Sequence, residues 1–125
     1  MMFGPELIID LYECDASKFN RADITKFLED LCELIDMVRE DLHFWDYVDD
    51  PETYDDEPDH MKGTTAIQFI RTSNVTIHTL DTLRFVALNI FSCKNFSRQA
   101  AEDFCTTYFS AKSFDSKLIS RGINV

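Results

Sequence analysis

Basic residues are scarce in this chain. Twelve Lys and Arg stand against 23 Asp and Glu, a formal net charge of -11 over 125 residues. That shortage excludes the basic footprint by which proteins hold nucleic acid and the polybasic face by which they hold anionic membrane. Long apolar runs are also missing, so no membrane-spanning segment is expected. The opening Met1-Met2-Phe3-Gly4-Pro5-Glu6 has no basic stretch ahead of an apolar core and does not read as a secretory signal. The four cysteines, Cys14, Cys32, Cys93 and Cys105, form no CxxC pair. With 11 Phe and a sizeable apolar set, the core needs no disulfides, and the expectation is a reduced, cytoplasmic protein. His43, His60 and His78 have no paired spacing with the cysteines, so no metal centre is expected.

The acids that are present are unevenly placed. Eight of them fall between Asp46 and Asp59, with no Lys or Arg among them. This stretch contains Pro51 and Pro58, lacks periodicity and has no calcium-loop spacing, so residues 49–62 read as a solvated acidic loop. The rest of the chain, long enough for one domain with one core (1–125), is patterned. Residues 6–13 form a near-continuous apolar run that suggests a central strand. Asn20 can cap a helix in which Ile24, Phe27, Leu28, Leu31, Leu34, Ile35 and Val38 recur at spacings of three and four. Strands are expected over 42–48, 64–71, 75–80, 84–93 and 113–120, with a tight connection at 72–74 and a second helix over 97–109. The order is β-α-β-loop-β-β-β-α-β. Few helices and many strands imply an α+β fold, a two-layer α/β sandwich with helices on one face of a mainly antiparallel sheet. The strands carry apolar residues on both faces, so the uncovered face calls for a partner sheet, most simply that of a homodimer.

Chemistry concentrates in Thr72-Ser73-Asn74-Val75-Thr76-Ile77-His78-Thr79, followed by Ser92-Cys93. A serine in a strained turn can attack the preceding carbonyl, shift its acyl group from nitrogen to oxygen and then eliminate it. The products are a chain ending at Thr72 and a chain beginning with a pyruvoyl group. Such a reaction needs a positioned proton shuttle and a held carbonyl. His78 lies five residues beyond Ser73, an odd spacing that places the two side chains on opposite faces of a regular strand. A bulge or the turn itself would have to bring them together. Cys93 suits a proton donor when its pKa is tuned. Equally, His78 reads as one polar group in a Thr-rich strand, and Cys93 as a small buried hydrophobe. Ser, His and Cys in this order form no protease signature.

Three segments together, Leu7-Ile8-Ile9-Asp10-Leu11-Tyr12-Glu13-Cys14-Asp15, Ser73-Asn74-Val75-Thr76-Ile77-His78-Thr79 and Asn89-Ile90-Phe91-Ser92-Cys93, resemble the small prokaryotic class of S-adenosylmethionine decarboxylases, pyruvoyl-dependent enzymes of polyamine synthesis. The resemblance implies cleavage between Thr72 and Ser73, a pyruvoyl group formed from Ser73, a processing role for His78 and proton donation by Cys93. Thr65 falls where the family has a serine that supports processing. Homodimers whose active sites draw on both protomers, and a small cationic substrate derived from an amino acid, are implied as well. The chain departs from the family at Thr72 (usually Glu), at Asn74 (usually His) and at Thr82, where a substrate-associated Glu is usual. Asp81 is adjacent, but neighbours in a strand point to opposite sides. These departures keep two other readings open: a pyruvoyl enzyme for another amino acid such as arginine or ornithine, and an uncleaved, non-catalytic relative with a binding role.

Overall fold

The computed structural model describes residues 2–125; Met1 lies outside them. Nine elements follow one another: β1 (Gly4–Tyr12), α1 (Arg21–Leu34), β2 (Arg39–Trp45), α2 (Pro51–Asp56), β3 (Gly63–Ile70), β4 (Ser73–Leu80), β5 (Phe85–Ser92), α3 (Arg98–Tyr108) and β6 (Ser113–Arg121). Single 3-10 turns at Ala16–Lys18 and Asp59–Met61 lead into α1 and β3. The six strands make one sheet in the order β2-β3-β4-β5-β1-β6. All adjacent pairs are antiparallel. The fold is the α+β sandwich expected from the sequence.

The helices form where the apolar stripes lie. The Asn20 side chain accepts from the Asp23 N–H and caps α1, which buries Ile24, Phe27, Leu28, Leu31 and Cys32. The stripe read from the sequence ran on to Val38, but the helix stops at Leu34. Asp36 adopts a left-handed φ of 58° and turns the chain away, leaving Val38 about half exposed. Ser97 caps α3 through the Ala100 N–H. The two helices meet in an aromatic cluster in which Phe27 stacks on Phe104 and contacts Tyr108 and Phe109. Beneath them lie the fully buried Leu7, Ile9 and Leu11 of β1, Val75 and Ile77 of β4, and Val86, Leu88 and Ile90 of β5. Strict alternation puts the intervening residues of each strand on the other face, which no helix covers. That open face carries Ile67, Phe69 and Trp45, with 36%, 45% and 72% of their surface exposed.

Two expectations need correction. The strand placed at 42–48 runs from Arg39 to Trp45, because a bulge between Arg39 and Leu42 lets it begin earlier. Gln68, fully buried, supports that bulge: its Nε2 donates to the carbonyls of Glu40 and Asp41, and its Oε1 accepts from Arg39 Nε. The acidic stretch at 49–62 is not a loop throughout. Asp50 accepts from the Thr53 N–H, and Pro51 sits in the first turn, so a short helix forms.

Candidate active site

The β3–β4 hairpin turns on two residues, Arg71 and Thr72, with Ile70 and Ser73 directly paired. Ser73 therefore starts β4 rather than sitting in a longer connection at 72–74. Its φ is 154°, a positive value uncommon for a residue with a side chain. Its hydroxyl accepts from Asn74 Nδ2 at 3.2 Å. Across the sheet Ser73 pairs with Ser92, the last residue of β5. The chain leaving β5 then grips the hairpin tip: the Cys93 backbone N–H donates to the Thr72 carbonyl oxygen at 3.1 Å. That carbonyl belongs to the peptide bond between Thr72 and Ser73. A hydroxyl one residue away and an N–H on the carbonyl oxygen supply two requirements of an acyl shift, a nucleophile and a held oxygen.

Gly4 makes this approach feasible. A Cβ there would lie 2.0 Å from the Ser92 carbonyl oxygen and 2.7 Å from the Cys93 Cα. Only glycine lets the start of β1 pass this close to the end of β5.

Cys93 is exposed, whereas Cys14, Cys32 and Cys105 are buried. Burial pushes the thiols of Cys14 and Cys32 up to about 11 and that of Cys105 further still. At neutral pH these three are inert core groups, so thiol chemistry falls to Cys93.

Thr65 and His78 are directly paired across β3 and β4, and Thr65 Oγ1 and His78 Nδ1 share a 2.6 Å hydrogen bond. Burial lowers the His78 pKa, which keeps the ring neutral in the neutral pH range. The pair sits on the open face. It is not joined to Ser73. The register from Ser73 to Leu80 is unbroken on both sides of β4, so no bulge brings His78 back towards the tip. Five residues of strand separate the two by about 16 Å.

Asp81 and Thr82 lie in the β4–β5 turn, at the opposite end of β4 from Ser73. Thr82 is exposed. Asp81 accepts from the Tyr54 hydroxyl at 2.7 Å, while its other carboxylate oxygen is buried without a partner. Burial raises the Asp81 carboxyl above the usual range, and the Tyr54 bond opposes that rise. Asp81 lines a cavity of about 530 Å³ on the helix side, together with Tyr54, Tyr47, Phe19 and Thr64. This cavity is remote from Ser73 and Cys93. No group of three or more His, Cys, Asp or Glu side chains among the described residues is placed to hold a metal ion.

Sequence reasoning gave Ser92 no role beyond its place beside Cys93, and passed over Gly4 and Met37, whose sulfur lies 3.5 Å from Thr72 Oγ1 and 3.6 Å from Ser92 Oγ. Ser92 left one trace, a hydroxyl ending the apolar face Val86, Leu88, Ile90. Met37 left none, since its position depends on the turn after α1.

The family model for S-adenosylmethionine decarboxylase matches residues 5–122. No curated protein sequence matches the chain. Among solved structures, the adenosylmethionine decarboxylase from Aquifex aeolicus VF5 has the same fold, with a TM-score of 0.78 at 23% identity over 99% of this chain and 94% of that one. No helix among the described residues is long and apolar enough to cross a membrane. With the match extending over all three helices and all six strands, the chain belongs to the S-adenosylmethionine decarboxylase family.

Proposed function

We propose that this protein cleaves itself between Thr72 and Ser73 and then decarboxylates S-adenosylmethionine. The single observation that carries the reading is the Cys93 N–H bonded to the Thr72 carbonyl, beside a serine with positive φ. In the first step Ser73 Oγ attacks the Thr72 carbonyl carbon; the Oγ proton passes to the Ser73 nitrogen as the C–N bond breaks. The Cys93 N–H stabilises the oxyanion that forms in between. Loss of the Ser73 Cα proton then releases Thr72 as a carboxylate, and water converts the remaining dehydroalanine to the pyruvoyl group with loss of ammonia. The pyruvoyl group supplies an electron sink for decarboxylation. Cys93, the exposed thiol next to the tip, is the proton donor that finishes turnover.

Thr65 and His78 act on the partner. The pair lies too far from its own Ser73, on a face that presents Trp45, Ile67 and Phe69 to a second sheet. A two-fold dimer through that face brings the Thr65–His78 pair of one protomer towards the hairpin tip of the other. Each active site then combines Ser73 and Cys93 from one chain with Thr65 and His78 from its partner. The net negative charge favours a cationic sulfonium substrate in a general way. Asp81 is engaged by Tyr54, so Thr82 and not Asp81 faces solvent where the family has its glutamate.

Intact mass under denaturing conditions tests the reading. The expected result is two fragments divided between Thr72 and Ser73, the second lacking an ordinary amino terminus, with Ser73→Ala remaining whole. A wild-type chain that stays at full mass after prolonged incubation would overturn it. Release of labelled carbon dioxide from S-adenosylmethionine, arginine and ornithine then identifies the substrate.

A further inference from the structure

We propose that Ser92 is a positioning residue for self-cleavage, acting through the Thr72 hydroxyl to hold the acyl half of the bond that breaks; the inference rests on the cleavage reading above. A directed chain of hydrogen bonds carries it. The Lys94 N–H donates to Ser92 Oγ at 2.9 Å. Ser92 Oγ–H donates to Thr72 Oγ1 at 2.8 Å. Thr72 Oγ1–H donates to the Met37 sulfur at 3.5 Å. The Met37 sulfur also lies 3.6 Å from Ser92 Oγ, so Ser92, Thr72 and Met37 form one contact cluster in which the shorter 2.8 Å bond joins the two hydroxyls. Ser92 is fully buried and Met37 nearly so.

The geometry holds the acyl side of the scissile peptide through contacts of its own. Thr72 is held twice from consecutive residues, its side chain by Ser92 and its carbonyl by the Cys93 N–H. The turn that presents Met37 is itself anchored. Arg71 N–H donates to Val38 O, Met37 N–H donates to Cys32 O, and Lys94 Nζ donates to the Asp36 carbonyl and carboxylate. Beyond the bond, the Ser73 backbone is paired with Ile70 and Ser92, and its hydroxyl accepts from Asn74 Nδ2. In the acyl shift the Thr72 carbonyl carbon must stay in place while its bond to nitrogen breaks and its bond to Ser73 Oγ forms. Anchoring the Thr72 side serves that demand, because a near-attack geometry holds the carbonyl carbon and the attacking oxygen in a fixed relation. Thr72 stands where the family usually has glutamate, so the clamp is this chain's own way of holding that side.

The test is the rate of fragment formation in Ser92→Ala, Thr72→Val and the double variant, each refolded from denaturant and followed by intact mass. Losing one neutral hydrogen bond that fixes the reacting group is expected to slow cleavage by about tenfold. The double variant should be no slower than either single one, because both remove the same contact. Thr72→Ser, which keeps the hydroxyl, should cleave within about twofold of wild type. Urea midpoints measured on the uncleaved Ser73→Ala background separate positioning from folding; a purely structural role predicts rates that follow stability and no rescue by Thr72→Ser. Wild-type rates in Ser92→Ala and Thr72→Val would overturn the inference and leave the cleavage reading intact. A wild-type chain that never cleaves would overturn both.

Discussion

If Thr65 and His78 serve the partner's hairpin, two inactive chains should repair each other. Ser73→Ala removes the nucleophile but keeps His78; His78→Ala removes the shuttle but keeps Ser73. Each alone forms dimers with no complete processing site. Within one chain the unbroken β4 register holds Ser73 and His78 about 16 Å apart, several times the reach of a hydrogen bond. Refolding the two variants together in equal amounts gives mixed dimers as about half of the total. Each mixed dimer has one complete site, made of Ser73 from the His78→Ala chain and His78 from the Ser73→Ala chain. About half of the His78→Ala chains, or a quarter of all chains, should therefore be cleaved. The Ser73→Ala chains should stay whole. Intact mass resolves the two chain types, and each variant refolded alone is the control. Cleavage absent from the mixture, while wild type cleaves fully under the same conditions, would refute the shared site. So would cleavage of His78→Ala refolded alone at the wild-type rate.

Two further outcomes test the scaffold. Tyr54→Phe removes the donor that stabilises the Asp81 carboxylate. Asp81's folded pKa is raised, so its neutral form favours the fold at low pH and that contribution fades as pH rises through the folded value; removing Tyr54 raises it further. The loss of stability should be about 1–2 kcal/mol at about pH 7 and shrink towards about pH 4, as measured by urea unfolding; an equal loss at both would contradict the assignment. Gln68→Leu leaves the Glu40 and Asp41 carbonyls and Arg39 Nε without their buried partner. Urea unfolding should record a loss of about 2–4 kcal/mol, and a loss below about 1 kcal/mol would mean that the β2 bulge holds without it.

The sheet was legible because its faces are written in period two. Val86, Leu88 and Ile90 alternate with Phe85, Ala87 and Asn89, and the structure buries the first set and leaves the second on the open face. The helices were legible from Asn20 and Ser97 as caps and from their apolar spacing. Boundaries failed where a single residue overrode the pattern. Asp36 ends α1 by entering a left-handed conformation, which no apolar count anticipates. Gln68 starts β2 early by feeding a bulge across the sheet, a contact between residues 27 and 28 positions apart in sequence. The acidic stretch concealed a helix because its charge outweighed its one local signal, Asp50 followed by Pro51.

The site was legible only in part, for a related reason. Spacing of five residues says that Ser73 and His78 cannot face each other on a flat strand, and the register confirms that nothing bends β4 to help. The solution proposed above, a second chain, rests on the open face carrying both the Thr65–His78 pair and the exposed Trp45, Ile67 and Phe69. The departures at Thr72 and Asn74 change meaning in the same way. In sequence they separate the chain from its family at the positions flanking the cleavage point. In space neither dangles: Thr72 is bonded to Ser92 and Met37, and Asn74 Nδ2 reaches Ser73 Oγ. Here both replacements are built into the hydrogen-bond network around the Thr72–Ser73 bond, so the intact-mass measurement and not the sequence departures decides between a chain that cuts itself and one that has kept only the fold.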